Sequence, residues 1–482
     1  MVSSATPIRF LCAKALIFGA VICHAQTYST SISSTSGQSV PGNASNPFSG
    51  SVPTKIIPGT ISLSLQDAIN LGLKNNLGLL LSRADTRAAR GQRWEELSAL
   101  LPHVTAAPYV AESKINLAEI GFGNVATNFL HISTALGPFS YFDARAAVNQ
   151  SLFDWKSINR ARSATESVKS ADYTLLDAHD LVVLAVGYVY FQAVAYEARI
   201  TTDEAQVAAA RAVFNQASDQ VKAGTAADID ALRTKVELQT RQQELIQAKN
   251  DFDIQKITVA RVIGLAPSQQ FDLTDKSLYQ RLENLTPDEA LQRAYASRSD
   301  YRAAMSDVRA AELSRKAAAA GYLPSLSFDA DYGTGGAHPA DATRVYDVRG
   351  TLSIPIFTGN SVHGDVQQAD AKLEQAREKL DNLRGQIEAD VRTALLNLQS
   401  SAEQVEVARS NIDLADQTLT QSRDRFSAGV TDTVEVVQSQ ESVAAAHEQF
   451  ISSLYNYNFA KISLIRALGA GEQGVKEFFP GK

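Results

Sequence analysis

From Ile356 to Phe479 the chain runs for 124 residues without a proline, and within that run apolar or small residues recur at alternating steps of four and three. They are Ile387, Val391, Ala394, Leu398, Ser401, Val405, Ala408, Ile412, Ala415, Leu419, Ser422 and Phe426. This is the spacing of a coiled-coil seam. From Ala394 on, every second position is Ala or Ser, so the partner helix can approach closely. A helix from Val362 to Ala428 would be about 100 Å long, more than an ordinary globular domain can use. The partner follows a tight turn in RDRFSAGVTDTVEVVQSQ (423–440). Ala428 and Gly429 supply a C-terminal stop, and Asp432 with Glu435 predicts an N-cap and capping box for the returning helix.

The pattern upstream predicts the same devices in the same order, twice. Ser64 and Asp67 start a helical spacing through Leu65, Ala68, Ile69 and Leu73 that runs to Leu100 and ends at Pro102. The period then changes to two in TAAPYVAE (105–112) and FDARAAVNQSLF (142–153), where Phe142, Ala144, Ala146 and Val148 alternate with Asp143, Arg145, Ala147 and Asn149. A loop of about 30 residues carrying Gly121, Gly123, Gly137 and Pro138 is expected between them. From Asp154 to Pro267 helical spacing resumes, interrupted at KAGTAADIDALR (222–233). Its apolar run 181–196 contains Gln192 and reads as a buried helix face rather than a membrane span.

Thr286, Pro287 and Glu289 then mark a second helix start, and Leu323 and Pro324 repeat Leu101 and Pro102. A second alternating hairpin follows in 325–333 and 345–357, with GTGG (333–336) read as its loop rather than a phosphate cradle. Before the strands the copies align at an offset of 222, and after them at 204 to 205, as in Gly224 with Gly429 and Gly264 with Gly469. The chain is thus divided into residues 63–268 and 269–472, preceded by a Ser/Thr/Gly/Pro-rich extended segment at 26–62 and followed by a tail at 473–482. In each copy a helix of about 70 residues matches two of about 36 laid end to end. Strands fall at one end and the small-residue turn at the other. Four strands per chain are too few for a membrane barrel, which needs about eight, so several chains must share one.

Composition narrows the class. The formal net charge of -7 gives no reason to expect nucleic-acid binding. Both cysteines, Cys12 and Cys23, lie in the first 25 residues, where Arg9 and Lys14 precede the apolar ALIFGAVI and Ala25 offers a cleavage point. Residues 1–25 therefore resemble a secretory signal peptide. A lipid-anchored Cys23 is the alternative, weakened by Ile22 where a small residue belongs. Removing residues 1–25 takes away two bases and no acid, moving the charge to about -9 and leaving no cysteine. The seven histidines show no ligand spacing, and no catalytic constellation, metal set or cofactor cradle emerges.

With these residues in view, the chain resembles the TolC-like outer-membrane efflux proteins. The resemblance covers residues 63–469, and its most specific stretch is 425–469, with the RF-x-x-G turn, a later Tyr and the closing A-L-G. It implies a mostly α protein with a membrane β-barrel: duplicated long helical hairpins form a periplasmic barrel, and four strands from each of three chains form a 12-stranded one. It implies a passive exit duct in the outer membrane without enzymatic activity. Implied partners are two further copies, outer-membrane lipid, a periplasmic adaptor, and an inner-membrane pump of the RND, ABC or MFS type. Under that resemblance Ala223, Gly224 and Thr225 with Ala428, Gly429 and Val430 are the adaptor-docking tip. Asp432 and Asp228 would line a periplasmic gate; read without the resemblance, both are helix caps. Asp143, Arg145, Asp329, Asp331, Asp347 and Arg349 would face the barrel lumen, while Phe328, Tyr332, Leu352 and Ile354 would face lipid. The rival reading is a secreted or periplasmic coiled-coil structural protein, for which the polar strand residues are only the wet face of a soluble sheet.

Overall fold

The computed structural model describes residues 47–119, 121–122, 129, 133–275, 279–282 and 285–479. The signal-peptide and lipid-anchor expectations lie outside the described residues. The first copy runs β1 (Ile61–Leu63), α1 (Leu65–Asn75), α2 (Leu77–Ser98), β2 (His103–Asn116), β3 (Ala135–Phe153), α3 (Trp155–Lys222) and α4 (Asp228–Ile263). The second runs β4 (Phe271–Leu273), α5 (Pro287–Ser297), α6 (Ser299–Ala319), β5 (Ser325–Gly336), β6 (Thr343–Ser353), α7 (Ser361–Ser427) and α8 (Thr433–Leu468), and α9 (Gly471–Phe478) closes the chain.

The long helices have 68 and 67 residues and the returning ones 36 each, so each long helix spans about 100 Å. The seam on α7 packs as its spacing requires. Ile387, Val391, Ala394, Ser401, Val405, Ala408, Leu419, Ser422 and Phe426 are buried, and Leu398, Ile412 and Ala415 half-buried. Both α1 and α5 begin with a complete capping box, Ser64 with Asp67 and Thr286 with Glu289.

The expected single helix before each pair of strands is instead two. It breaks at Asn76 in the first copy and at Arg298 in the second, both with extended backbone (φ -63°, ψ 132° and φ -58°, ψ 121°). The two positions are equivalent at the offset of 222, and at or next to each one sits the left-handed glycine that ends the returning helix of its copy. Gly264 (φ 84°) lies against Asn75 and Gly469 (φ 65°) against Arg298. Helical periodicity runs through both breaks; Gly72 and Gly78 flank the first, and no proline or glycine marks the second.

This waist holds the main core. Leu63, Ile69, Val182, Val186, Tyr190, Ile263, Ile387 and Ile462 are almost completely covered. The apolar run 181–196 therefore lies inside the helix layers. The described part of the expected extended segment, from residue 47, lies on the surface and is tied down by backbone bonds: Val52 N–H donates to Asn75 O (3.0 Å), Thr54 N–H to Gly264 O (2.8 Å) and Ile61 N–H to Gln270 O (3.1 Å). It ends in β1, which pairs in parallel with β4. Neither three-residue strand is long enough to show a period. Likewise residues 473–478 of the expected tail belong to α9, anchored by Val475 and Phe478.

Beyond the far ends of α2 and α6, β2, β3, β5 and β6 form one antiparallel sheet in that order. The strands are longer than the alternation suggests. Gly137 and Pro138 belong to β3, and GTGG lies inside β5 rather than in its hairpin loop. Gly333 is demanded by close approach: a Cβ there would stand 2.1 Å from Ala144 O on β3. Ile354 lies beyond the end of β6.

Candidate functional site

Three groups of residues carry the chemistry, and the register of the sheet assembles the first. Asp143 is opposite Gly335, Arg145 opposite Gly333, Asp329 opposite Arg349 and Asp331 opposite Asp347. Because side chains alternate along a strand, all six polar residues share one face. Phe328, Ala330, Tyr332, Val348 and Leu352 share the other. Arg145 is the hub: its guanidinium meets Asp143 at 2.7 Å and reaches Asp331 at 3.4 Å across the β3–β5 pair. Asp143 also accepts from the Tyr141 hydroxyl at 2.8 Å and is only 4% exposed. Asp347 pairs with Arg349 at 3.1 Å in the open, and Asp329 accepts from Ser327. Tyr141 was not singled out from the sequence, because nothing in an alternating strand says which neighbour will close over a carboxylate.

The second group is the pair of turns, which are one device built twice. Ala223, Gly224 and Thr225 donate their N–H groups to Asp219 O, Val221 O and Gln220 O, at 2.9, 3.0 and 2.9 Å. Ala428, Gly429 and Val430 donate to Asp424 O, Phe426 O and Arg425 O, at 3.0, 3.1 and 2.9 Å. This is a Schellman closure, with Gly224 (φ 73°) and Gly429 (φ 74°) in the left-handed position. Nothing lies within 4 Å of where their Cβ atoms would be. Glycine is therefore required for its backbone angle and not for space.

Acidic residues just beyond the turns form the third group, and here two expectations are corrected. Asp432 caps α8, accepting from Val434 N–H at 3.1 Å, but Glu435 does not complete a capping box. It faces Thr431 (2.5 Å) and Arg425 (3.5 Å) instead, because the turn brings the end of α7 within its reach. Asp228 is no cap: Ala227 holds that position with no side-chain bond, and Asp228 is the first residue of α4, where its charge complements the helix dipole. Asp228 and Asp432 are both exposed. The residue that joins the two turns is one the sequence did not single out. Asp230 accepts from the buried Thr433 hydroxyl at 2.8 Å and lies 3.7 Å from Arg233, in an AADIDAL stretch whose two acids are indistinguishable by spacing.

Among the described residues no group of His, Cys, Asp and Glu could hold a metal ion, and the comparisons identify the protein's kind. Residues 68–265 and 290–470 match the family model described as outer membrane efflux protein. The chain belongs to that family. Relatives include the pyoverdine export outer membrane protein OpmQ of Pseudomonas putida, 23% identical with 86% of this chain and 87% of that protein covered. The outer membrane protein TolC of Escherichia coli is likewise 23% identical, with 86% of each covered. Among solved structures, the outer-membrane channel OprN superposes with a TM-score of 0.73 at 17% identity, covering 85% of this chain and 90% of that one. The outer membrane protein VceC of Vibrio cholerae gives 0.71 at 17%, covering 84% and 96%. The fold of this outer membrane efflux protein is that of these channels.

Proposed function

We propose that this outer membrane efflux protein works as a trimer. Its sheet would be one third of a 12-stranded barrel in the outer membrane and its helices one third of a tunnel through the periplasm. It passively passes on what an inner-membrane pump and a periplasmic adaptor deliver, as an exit duct of a tripartite efflux or secretion system. The relatives' names support the compartment and the task. In this reading the six polar sheet residues line the lumen, the 223–225 and 428–430 turns dock the adaptor, and Asp432, with Asp228 beside it, rings the narrow end.

The observation that carries the trimer is that sheet and helix layer are both open at their two sides. β2 and β6 each have a neighbour on one side only, and in hydrocarbon an unpaired strand edge is not tolerated. Among the helices, α3 packs against α4 and α8, and α8 against α7, which leaves α4 and α7 outermost. Moreover α4 is inside out as a lone helix. Before Val259, where it joins the main core, the face it buries carries Thr234, Glu237, Arg241 and Gln255 with only Ala248 among them, while Leu232, Val236, Ile246 and Ile254 are more than half exposed. On α7, Leu396, Val407 and Leu414 are similarly bare. Setting one copy's β6 and α7 beside the next copy's β2 and α4 would cover them, and such a head-to-tail contact closes into a ring when each copy is turned by a third of a revolution. The test is fractionation followed by native mass measurement of the detergent-extracted protein. Three chains per particle from the outer membrane is the expected result. A freely soluble monomer would instead support the coiled-coil reading.

A further inference from the structure

The two copies lock their helix breaks with different chemistry. In the first, the lock is neutral. Asn76 accepts from Gly78 N–H at 3.0 Å and donates to Phe48 O at 2.8 Å, and Asn75 donates to Ile263 O at 3.2 Å. In the second, Arg298 stands in place of Asn76 and is 3% exposed. It pairs with Asp300 at 2.6 Å and with Asp390 of α7 at 3.0 Å, which gives each of its three guanidinium nitrogens a carboxylate partner. Next to it, Arg466 at the end of α8 faces two carboxylates of α3, Asp177 at 2.7 Å and Asp180 at 3.8 Å. Gly471, the first residue of α9, closes over Asp180; a Cβ there would be 2.3 Å from its Oδ1. At the offset of 205 the two carboxylates have no counterpart: α7 of the second copy carries Asn382 and Gly385 where α3 of the first carries Asp177 and Asp180.

We propose that this cluster is a proton-operated latch on the second hairpin: one proton taken up by the Asp177–Asp180 pair tightens the hold of α8 and α9 on α3, and its loss loosens that hold. The cluster has four carboxylates for two guanidiniums, in a setting where an unmatched charge is costly. Arg466 Nη1 makes no hydrogen bond and has only its 3.8 Å contact with Asp180. Burial pushes Asp180 up to about 6 and, although Arg466 acts against it, Asp177 and Asp300 add to the rise. Asp177 is raised too, first by burial. Burial would also raise Asp300, but Arg298 outweighs it and holds that carboxyl below its ordinary value, hence ionised.

The remaining ionisable groups nearby do not supply the proton. His179 on α3 is lowered by burial and by Arg83, against the pull of Glu472 on α9, and Glu472 pairs with Lys476 at 2.7 Å. A carboxyl raised in the folded chain stabilises it when protonated. The contribution is complete below the ordinary carboxylate range and is lost as the pH rises through about 6. The latch is thus tight in mild acid and loose above neutrality.

Amide hydrogen exchange of the full chain in detergent, corrected for intrinsic rates, tests this without reference to conduction, so its outcome is separate from that of the duct reading. Protection across residues 460–479 should fall about tenfold or more between pH 5 and pH 7.5. Residues 255–265 of the first copy, equivalent to 460–470, should not follow. Asp180→Asn, which resembles the protonated acid in shape and charge, should hold 460–479 at its pH 5 level at both values. An equal fall in both copies of the wild type, or an unchanged fall in Asp180→Asn, would overturn the latch. The wild-type comparison decides the matter even if the variant folds poorly.

Discussion

At the scale of single residues, Gly429 and Asp432 are held by different demands, and substitutions separate them. Gly429 has open space around it but a left-handed backbone. Valine there should cost about 1–2 kcal/mol, opening the turn at the end of α7. Asn tolerates the same angle. Gly429→Val should therefore lose export with the trimer still in the membrane, while Gly429→Asn keeps both; export assays alongside native mass measurement check this. Asp432 caps α8 by accepting one N–H, and Asn caps about as well. Asp432→Asn therefore leaves the helix intact and removes only charge. Three such carboxylates about 6 Å apart would repel by about 3 kcal/mol per pair at an effective dielectric near 20. Single-channel recording should show weaker cation selectivity and weaker divalent block in the Asn variant. An unchanged trace would leave Asp432 as a cap alone.

Elements show why some of the structure was legible in the sequence and some was not. The α7 seam, the helix starts at Ser64 and Thr286 and the turn glycines were readable because each is a local requirement: a buried stripe, an orphan N–H, a positive φ. The breaks at Asn76 and Arg298 were less so: Asn76 caps the next helix locally, but the glycine end packed beside it is distant, and Arg298 is held by two carboxylates of which one lies 92 residues away. The pairing of β1 with β4 and the link from Asp230 to Thr433 are equally non-local. The two faces of the sheet were legible in kind, since alternation sorts them, but not the burial of Asp143, which depends on Tyr141 and on Arg145 folding over it. If the Val348 face meets lipid, Val348→Lys should destabilise the barrel by about 2–4 kcal/mol near mid-membrane, measured by unfolding in lipid. Cysteines at 327, 329 and 331 should then label from the aqueous lumen and those at 328, 330 and 332 should not.

For the molecule as a whole, the exposed apolar side of α4 is the feature that a single chain leaves unexplained. Its polar inner seam, with Arg241 held between Glu237 at 2.6 Å and Glu244 at 2.8 Å, is satisfied within the chain, so the outer side can be altered without disturbing it. Leu232→Glu with Val236→Glu should leave helix content unchanged by circular dichroism yet shift the particle from three chains toward one. A trimer unaffected by both charges would show that α4 lies elsewhere than at a subunit boundary.

The two open sides of the sheet also bear on inheritance. A subunit whose β6 edge cannot pair still presents a sound β2 edge, so it enters assemblies and leaves them unclosed rather than staying apart. In a cell making equal amounts of sound and edge-defective chains, random mixing leaves only about one ring in eight free of a defect, given a closed trimer that needs every seam. Damage to either edge would therefore be dominant over the intact gene, whereas loss of the whole chain would be recessive.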